Sequence, residues 1–191
     1  LSNDLCSLNP HEDKFAFSAI FVMNTRGEVK ERWFGKTVIN SNHRFSYEDA
    51  QAALDTKSGK YYEELDTLNS IAKILRDKKM EQGAIDFEQD EVRFELDPSG
   101  KPIRVYKKER LDTHKLVEEY MLLANREVAE FIYNKHAKNG GKGVGMYRIH
   151  DTPDKDRITA LALFLKALGY NLDVKNGEVD ASQINAMLKQ V

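Results

Sequence analysis

A chain of 191 residues with 41% hydrophobic and 31% charged side chains has the balance of one soluble globular domain, long enough to bury a substantial core. No apolar run approaches the roughly 20 residues of a membrane span, and no basic-then-apolar secretion signal opens the chain. The formal net charge of −2 offers no overt basic footprint of the kind that free nucleic-acid binders usually carry.

Taken in chain order, residues 14–24 and 28–39 are rich in aromatic and β-branched side chains. With Thr25-Arg26-Gly27 between them they predict an antiparallel hairpin. Phe15, Phe17, Ala19, Phe21 and Met23 share one face of the first strand. The opposite face, with Ala16, Ile20 and Val22, is also apolar, so cover on both sides is expected. Ser46, followed by Tyr47, Glu48 and Asp49, signals a helix start, and that helix should run to about Leu54. Tyr61, Leu65, Leu68, Ile71, Ala72 and Leu75 then fall at helical spacing over 60–81, with Gly83 as the stop.

Residues 84–96 and 102–108 read as strands around Asp97-Pro98-Ser99-Gly100, a second hairpin with one solvated face. The longest predicted helix covers 111–137, and its wide apolar stripe places it centrally. NGGKGVG at 139–145 ends it; a short strand is expected at 146–150, a helix from Thr152-Pro153 to about Leu168 capped by Gly169, and a last helix at 181–190. Long helices with two separate hairpins predict an α+β fold in which antiparallel hairpins pack with the helices.

The residues that carry chemistry are sparse. GKGVG follows a helix and precedes a predicted strand, the reverse of a phosphate-binding glycine loop, so it reads as a plain loop. The histidines show no i, i+4 pair on one helix and the lone Cys6 has no zinc-type spacing, so no metal signature is present; a single cysteine also fits a reducing, intracellular setting. Each histidine, His114 included, reads as a surface or hydrogen-bonded structural residue. Glu118 and Glu119 are about 100° apart around their helix, so one of them should face the packed side in a functional or a buried ion-pair role. Tyr47, Phe87 and Tyr106 are either core aromatics, the commoner case, or base-stacking platforms.

Four phrases say more than composition does: LSNDLCSLNP at 1–10, RFSYEDAQ at 44–51, HKLVEEYMLLANREVAEFI at 114–132 and MYRIHDTPD at 146–154. In this order and spacing the chain resembles the catalytic (RNB) domain of the ribonuclease II and ribonuclease R exoribonucleases, and ribonuclease R the more. The resemblance implies a cytoplasmic, processive hydrolase that degrades RNA from a single-stranded 3′ end to nucleoside 5′-monophosphates. It implies magnesium held by an aspartate cluster upstream of the first phrase, and a phosphate-steadying arginine phrase downstream of the last. Neither phrase occurs in these residues, and both ends of the chain read as cut points. Residues 1–191 are therefore expected to be an internal piece of one such domain, without catalytic or metal-ligating residues of its own and inactive alone.

Three positions match substrate-binding residues of the family. Tyr47 matches a tyrosine beside the last nucleotides, Glu118 a glutamate that recognises the ribose, and Phe87 an aromatic that packs against the end of the stacked bases. The rival expectation is a non-catalytic RNA-binding or protein-interaction module that kept the fold; an unrelated α+β domain that binds a protein partner is the third.

Overall fold

The computed structural model describes residues 4–85, 91–138, 148–188 and 190. Its architecture is α+β, as expected, and it divides into two compact units: residues 1–76 with 93–145, and residues 77–92 with 146–191.

In the first unit β1 (Asp13–Met23) pairs antiparallel with β2 (Val29–Asn40), setting Phe15 opposite Val38, Phe17 opposite Lys36 and Ala19 opposite Phe34. The connection is built by Asn24, whose Oδ1 accepts the backbone N–H groups of Arg26 and Glu28 at 3.1 and 3.0 Å. Gly27 completes it at φ +70°, a backbone conformation in which a side chain would be strained, although an added Cβ would meet Ile74 Cγ2 at an ordinary contact distance of 3.4 Å.

Three helices accompany the hairpin. Helix α1 (Tyr47–Thr56) begins at Ser46, whose Oγ accepts the Asp49 N–H at 3.1 Å. Helix α2 (Tyr62–Glu81) starts two residues later than the periodicity predicts. The reason is local: Lys57, Gly59 and Tyr61 all take positive φ, and that reversal must finish before a helix can begin. Helix α3 (Asp112–Lys138) touches β2, α2 and α1, but the wide stripe expected to make it central is only partly covered: Leu123 is buried, whereas Val117, Met121, Phe131 and Ile132 are exposed. Phe131 meets Phe34 of β2 at 4.9 Å between ring centroids, Tyr120 Oη donates to Leu68 O of α2 at 3.1 Å, and Thr113 grips α1.

The expected two-sided cover of β1 is not found. Phe21 lies under Phe34, and through it under α3, but Phe15 is 93% and Phe17 73% exposed. Ile20 and Val22 on the other face are exposed too. Helix α3 covers only the half of the hairpin near its turn, and apolar character does not by itself supply a covering element.

The second hairpin, β3 (Glu91–Leu96) and β4 (Pro102–Lys108), turns where Asp97 Oδ1 accepts N–H groups of Ser99 and Lys101 at 2.8 and 2.9 Å. Strand β3 is shorter than expected: Ala84 and Ile85 lie outside it. The expected single solvated face is also corrected, because Val92, Phe94 and Leu96 on β3 and Ile103 and Val105 on β4 are all exposed.

The second unit holds α4 (Lys155–Ala167) and α5 (Ala181–Leu188) around Leu165, Leu172 and Met187. Helix α4 starts after Asp154, not at Thr152-Pro153, because the Asp154 carboxylate accepts the Asp156 and Arg157 N–H groups at 2.9 and 3.0 Å. Between the helices Asn176 and Gly177 take φ 55° and 76° and close a two-residue turn in which Lys175 and Glu178 exchange backbone hydrogen bonds of 3.0 Å. The strand expected at 146–150 is not formed by Arg148–His150, which pair with no neighbouring strand among the described residues. The loop at 139–145, like Met146 and Tyr147, lies outside the described residues.

Candidate functional site

The site grows from the start of α1. As the first helical residue after its cap, Tyr47 has a backbone fixed by α1 and is 43% exposed. Thr113, almost fully buried on the first turn of α3, donates from Oγ1 to Tyr47 O at 3.0 Å. Its backbone N–H donates to Gln51 Oε1 at 3.3 Å. One buried threonine thus ties the starts of two helices, leaving the tyrosine ring to project from a fixed base.

The next residue supplies a second constraint. The His114 imidazole stacks on the Tyr47 ring, with centroids 4.0 Å apart and planes 15° from parallel. Its Nδ1 accepts the Leu111 N–H at 3.2 Å, so Nδ1 carries no proton in this geometry. Leu111 is the residue just before α3, and its carbonyl accepts the N–H groups of His114 and Lys115. His114 therefore reaches back to the helix cap as the glutamate of a capping box does.

One turn further along the same stripe of α3 stands Glu118, since residues at i and i+4 are neighbours on a helix face. Its carboxylate is partly exposed and holds an ion pair with Arg110, in the segment before α3. Of the two adjacent acids it is Glu119 that is buried, at 4% exposure, beside Asn69, Lys73, Arg76 and Lys115. The buried-network role thus falls to Glu119, and Glu118 occupies the open face. Nearby, Lys73 pairs with Asp112 at 2.9 Å, and that charge-assisted hydrogen bond holds the Asp112 carboxyl below the usual aspartate range.

Tyr47 also borders a groove of about 520 Å³ whose walls include Arg44, Phe45, Leu65, Leu116 and Val117. His114 is not part of that lining, so it stands behind the tyrosine. Arg44 borders a second hollow, of about 540 Å³, with Ser7, Leu8 and Asn9. Pro10 bridges to Ser41 and His11 N donates to Ser41 O at 2.8 Å, which draws the first phrase of the chain to the segment before α1. Residues 7–9 therefore border Arg44, and the start of α3 meets the start of α1 at Tyr47, bringing together parts of three phrases that are distant in sequence.

Of the residues expected to contact a substrate, Tyr47 lines the groove, and Glu118 lies on α3 one turn beyond the histidine that stacks on Tyr47, outside the groove lining. Phe87 lies outside the described residues. Tyr106 is half-exposed on β4 and takes no part in this constellation. Sequence reasoning missed Arg44, Arg110 and Thr113 as members of the site, and gave His114 only a structural role. The position of His114 three residues after the cap was a usable signal for its contact with Leu111; its stacking on Tyr47 joins residues 67 apart and had none. No group of three or more histidine, cysteine or acidic side chains able to hold a metal occurs among the described residues. They do not fit a magnesium site.

The RNB domain family matches residues 1–191. Among curated proteins, a DIS3-like exonuclease 2 of Schizosaccharomyces pombe is 34% identical over 92% of this chain and 20% of its own length. Ribonuclease R of Aquifex aeolicus is 34% identical over 90% of this chain and 24% of its own. The chain thus spans about a quarter or less of the length of these relatives. Among solved structures, the apo form of Mycoplasma genitalium RNase R superposes with a TM-score of 0.85 at 23% identity, over 99% of this chain and 29% of that one. Yeast Ssd1, a pseudonuclease, superposes with a TM-score of 0.61 at 19% identity, over 88% of this chain and 20% of that one.

Proposed function

The chain belongs to the RNB family, and on that premise we propose that it is an internal part of the catalytic domain of a magnesium-dependent 3′-to-5′ exoribonuclease. The observation that supports this reading is the half-exposed Tyr47 on the wall of a groove that Arg44 also lines, stacked on a histidine that stands one helical turn before Glu118. An exposed aromatic ring offers a stacking surface to any base, worth about 1–3 kcal/mol. The Glu118 carboxylate, one helical turn beyond His114, can accept a hydrogen bond from a ribose 2′-hydroxyl, the group that distinguishes RNA from DNA. Arg44 is exposed, and no carboxylate pairs with it among the described residues, which suits it to a backbone phosphate. In this reading the residues of this chain bind and orient the 3′ end, and the metal-holding acids belong to other parts of the protein. Phe87, by its match to the family aromatic, packs against the end of the stacked bases.

The second reading, a binding module that kept the fold without the chemistry, is favoured by one fact: a pseudonuclease shares the fold. One assay separates the two. The full-length protein and the 191-residue chain are each incubated with a 5′-labelled single-stranded oligoribonucleotide and magnesium. We expect stepwise shortening from the 3′ end with release of 5′-monophosphates by the full-length protein, and none by the 191-residue chain. Magnesium-dependent decay by the chain alone would overturn its assignment as an inactive part. An inert but RNA-binding full-length protein would establish the pseudonuclease reading.

A further inference from the structure

We propose that His114 is a positioning residue for the Tyr47 ring: its imidazole backs one face of the tyrosine and leaves the other to a nucleobase. This deepens the reading above and rests on it. Two contacts define the device. The stack, 4.0 Å between centroids and 15° from parallel, sets the plane of the tyrosine. The hydrogen bond from Leu111 N–H to Nδ1, 3.2 Å, sets the plane of the imidazole. Each ring is held by something more rigid than itself, because Leu111 belongs to the start of α3 and the backbone of Tyr47 is clasped by Thr113.

The arrangement is not explained by core packing. Tyr47 is 43% exposed and lines the groove, whereas His114 is half-buried behind it. A tyrosine left to itself at a helix start would sample several rotamers, and a base would have to select one at an entropic cost. Ordering the ring in advance removes that cost from binding.

The two contacts made by His114 can be separated by substitution. His114→Gln keeps an acceptor able to reach the Leu111 N–H, as glutamine does at this position of a capping box, but it has no ring to stack. His114→Phe keeps a ring for the stack and loses the acceptor. Affinity for a 5′-fluorescein-labelled oligoadenylate is measured on the full-length protein, with Tyr47→Ala as the reference for loss of the tyrosine, and thermal unfolding is recorded for every variant. If His114 positions Tyr47, His114→Gln weakens binding roughly three- to tenfold, the range of a lost aromatic pair, while its melting temperature stays near that of the parent. His114→Phe then keeps most of the affinity even where it melts earlier.

Should His114→Gln bind as tightly as the parent while Tyr47→Ala binds weakly, the positioning role falls and the substrate reading stands. Affinity that follows the melting temperature across both His114 variants also overturns the proposal, because the residue would then act through the cap alone. If Tyr47→Ala itself leaves affinity unchanged, the tyrosine contact falls and the positioning role with it.

Discussion

Glu127 shows what one side chain can cost. It is buried on α3, with 7% of its side chain exposed, and its Oε2 lies 2.9 Å from Arg32 Nε of β2. That oxygen nevertheless accepts no hydrogen bond, so the approach of the guanidinium compensates its charge without a directed N–H. Arg126 stands 3.7 Å from the other carboxylate oxygen. Removing Arg32 leaves a buried carboxylate with only this weaker partner, and we expect Arg32→Ala to destabilise the protein by about 2–3 kcal/mol in urea unfolding. Glu127→Gln should be milder, because Arg32 is partly exposed and can be hydrated once the carboxylate is gone. The double variant should recover part of the loss; a double variant no more stable than Arg32→Ala alone would show that the buried charge is not its source. The sequence revealed an acid on this helix but not its burial, since the partner lies on a strand 95 residues earlier.

At the scale of elements, the β1–β2 turn carries a pH signature. The Glu28 carboxylate accepts from Lys30 and from the Asn24 amide, with Arg26 nearby, and these hold its pKa down to about 2. A folded-state pKa below the ordinary glutamate value of about 4.3 makes the contribution complete above that value; it is lost as pH falls towards 2. Stability of the parent should therefore fall across that acid window more steeply than that of Glu28→Gln. Coincident acid limbs for the two proteins would remove the turn from the account. The capping residues Ser46 and Asp97 were legible because their partners lie within four residues. Where the prediction slipped, the competing influence was also local but less visible: Asp154 captured the helix start from Thr152-Pro153, and the positive φ of Tyr61 delayed α2. The two-residue turn at Asn176-Gly177 carried a strong hairpin signal that the reading of the chain passed over.

At the scale of the whole molecule, the exposed end of the first hairpin is one of the apolar surfaces left open among the described residues. Phe15, Phe17 and Val38 lie adjacent in register, each well exposed. A contiguous apolar patch of this kind promotes association. We expect the 191-residue chain to associate in a concentration-dependent manner by sedimentation velocity, and Phe15→Ser with Phe17→Ser to shift it towards monomer. An unchanged distribution would assign the association elsewhere. If the double variant makes the chain monomeric while the full-length protein is already so, the oligomer is a property of the 191-residue chain alone.

By itself the sequence determined the family and most of the helices and hairpins, though not all their bounds. Alternation, helical spacing and turn residues act over a few positions, and the four phrases could be read directly because each is contiguous. It also marked Tyr47 and Glu118 through the family match, with no geometry to join them. Tertiary structure decided which acid of the pair is buried, which half of the hairpin is covered, and that His114 lies behind Tyr47. These depend on how α1, α2 and β2 pack against α3, and such contacts between distant segments leave no local period in a chain to read.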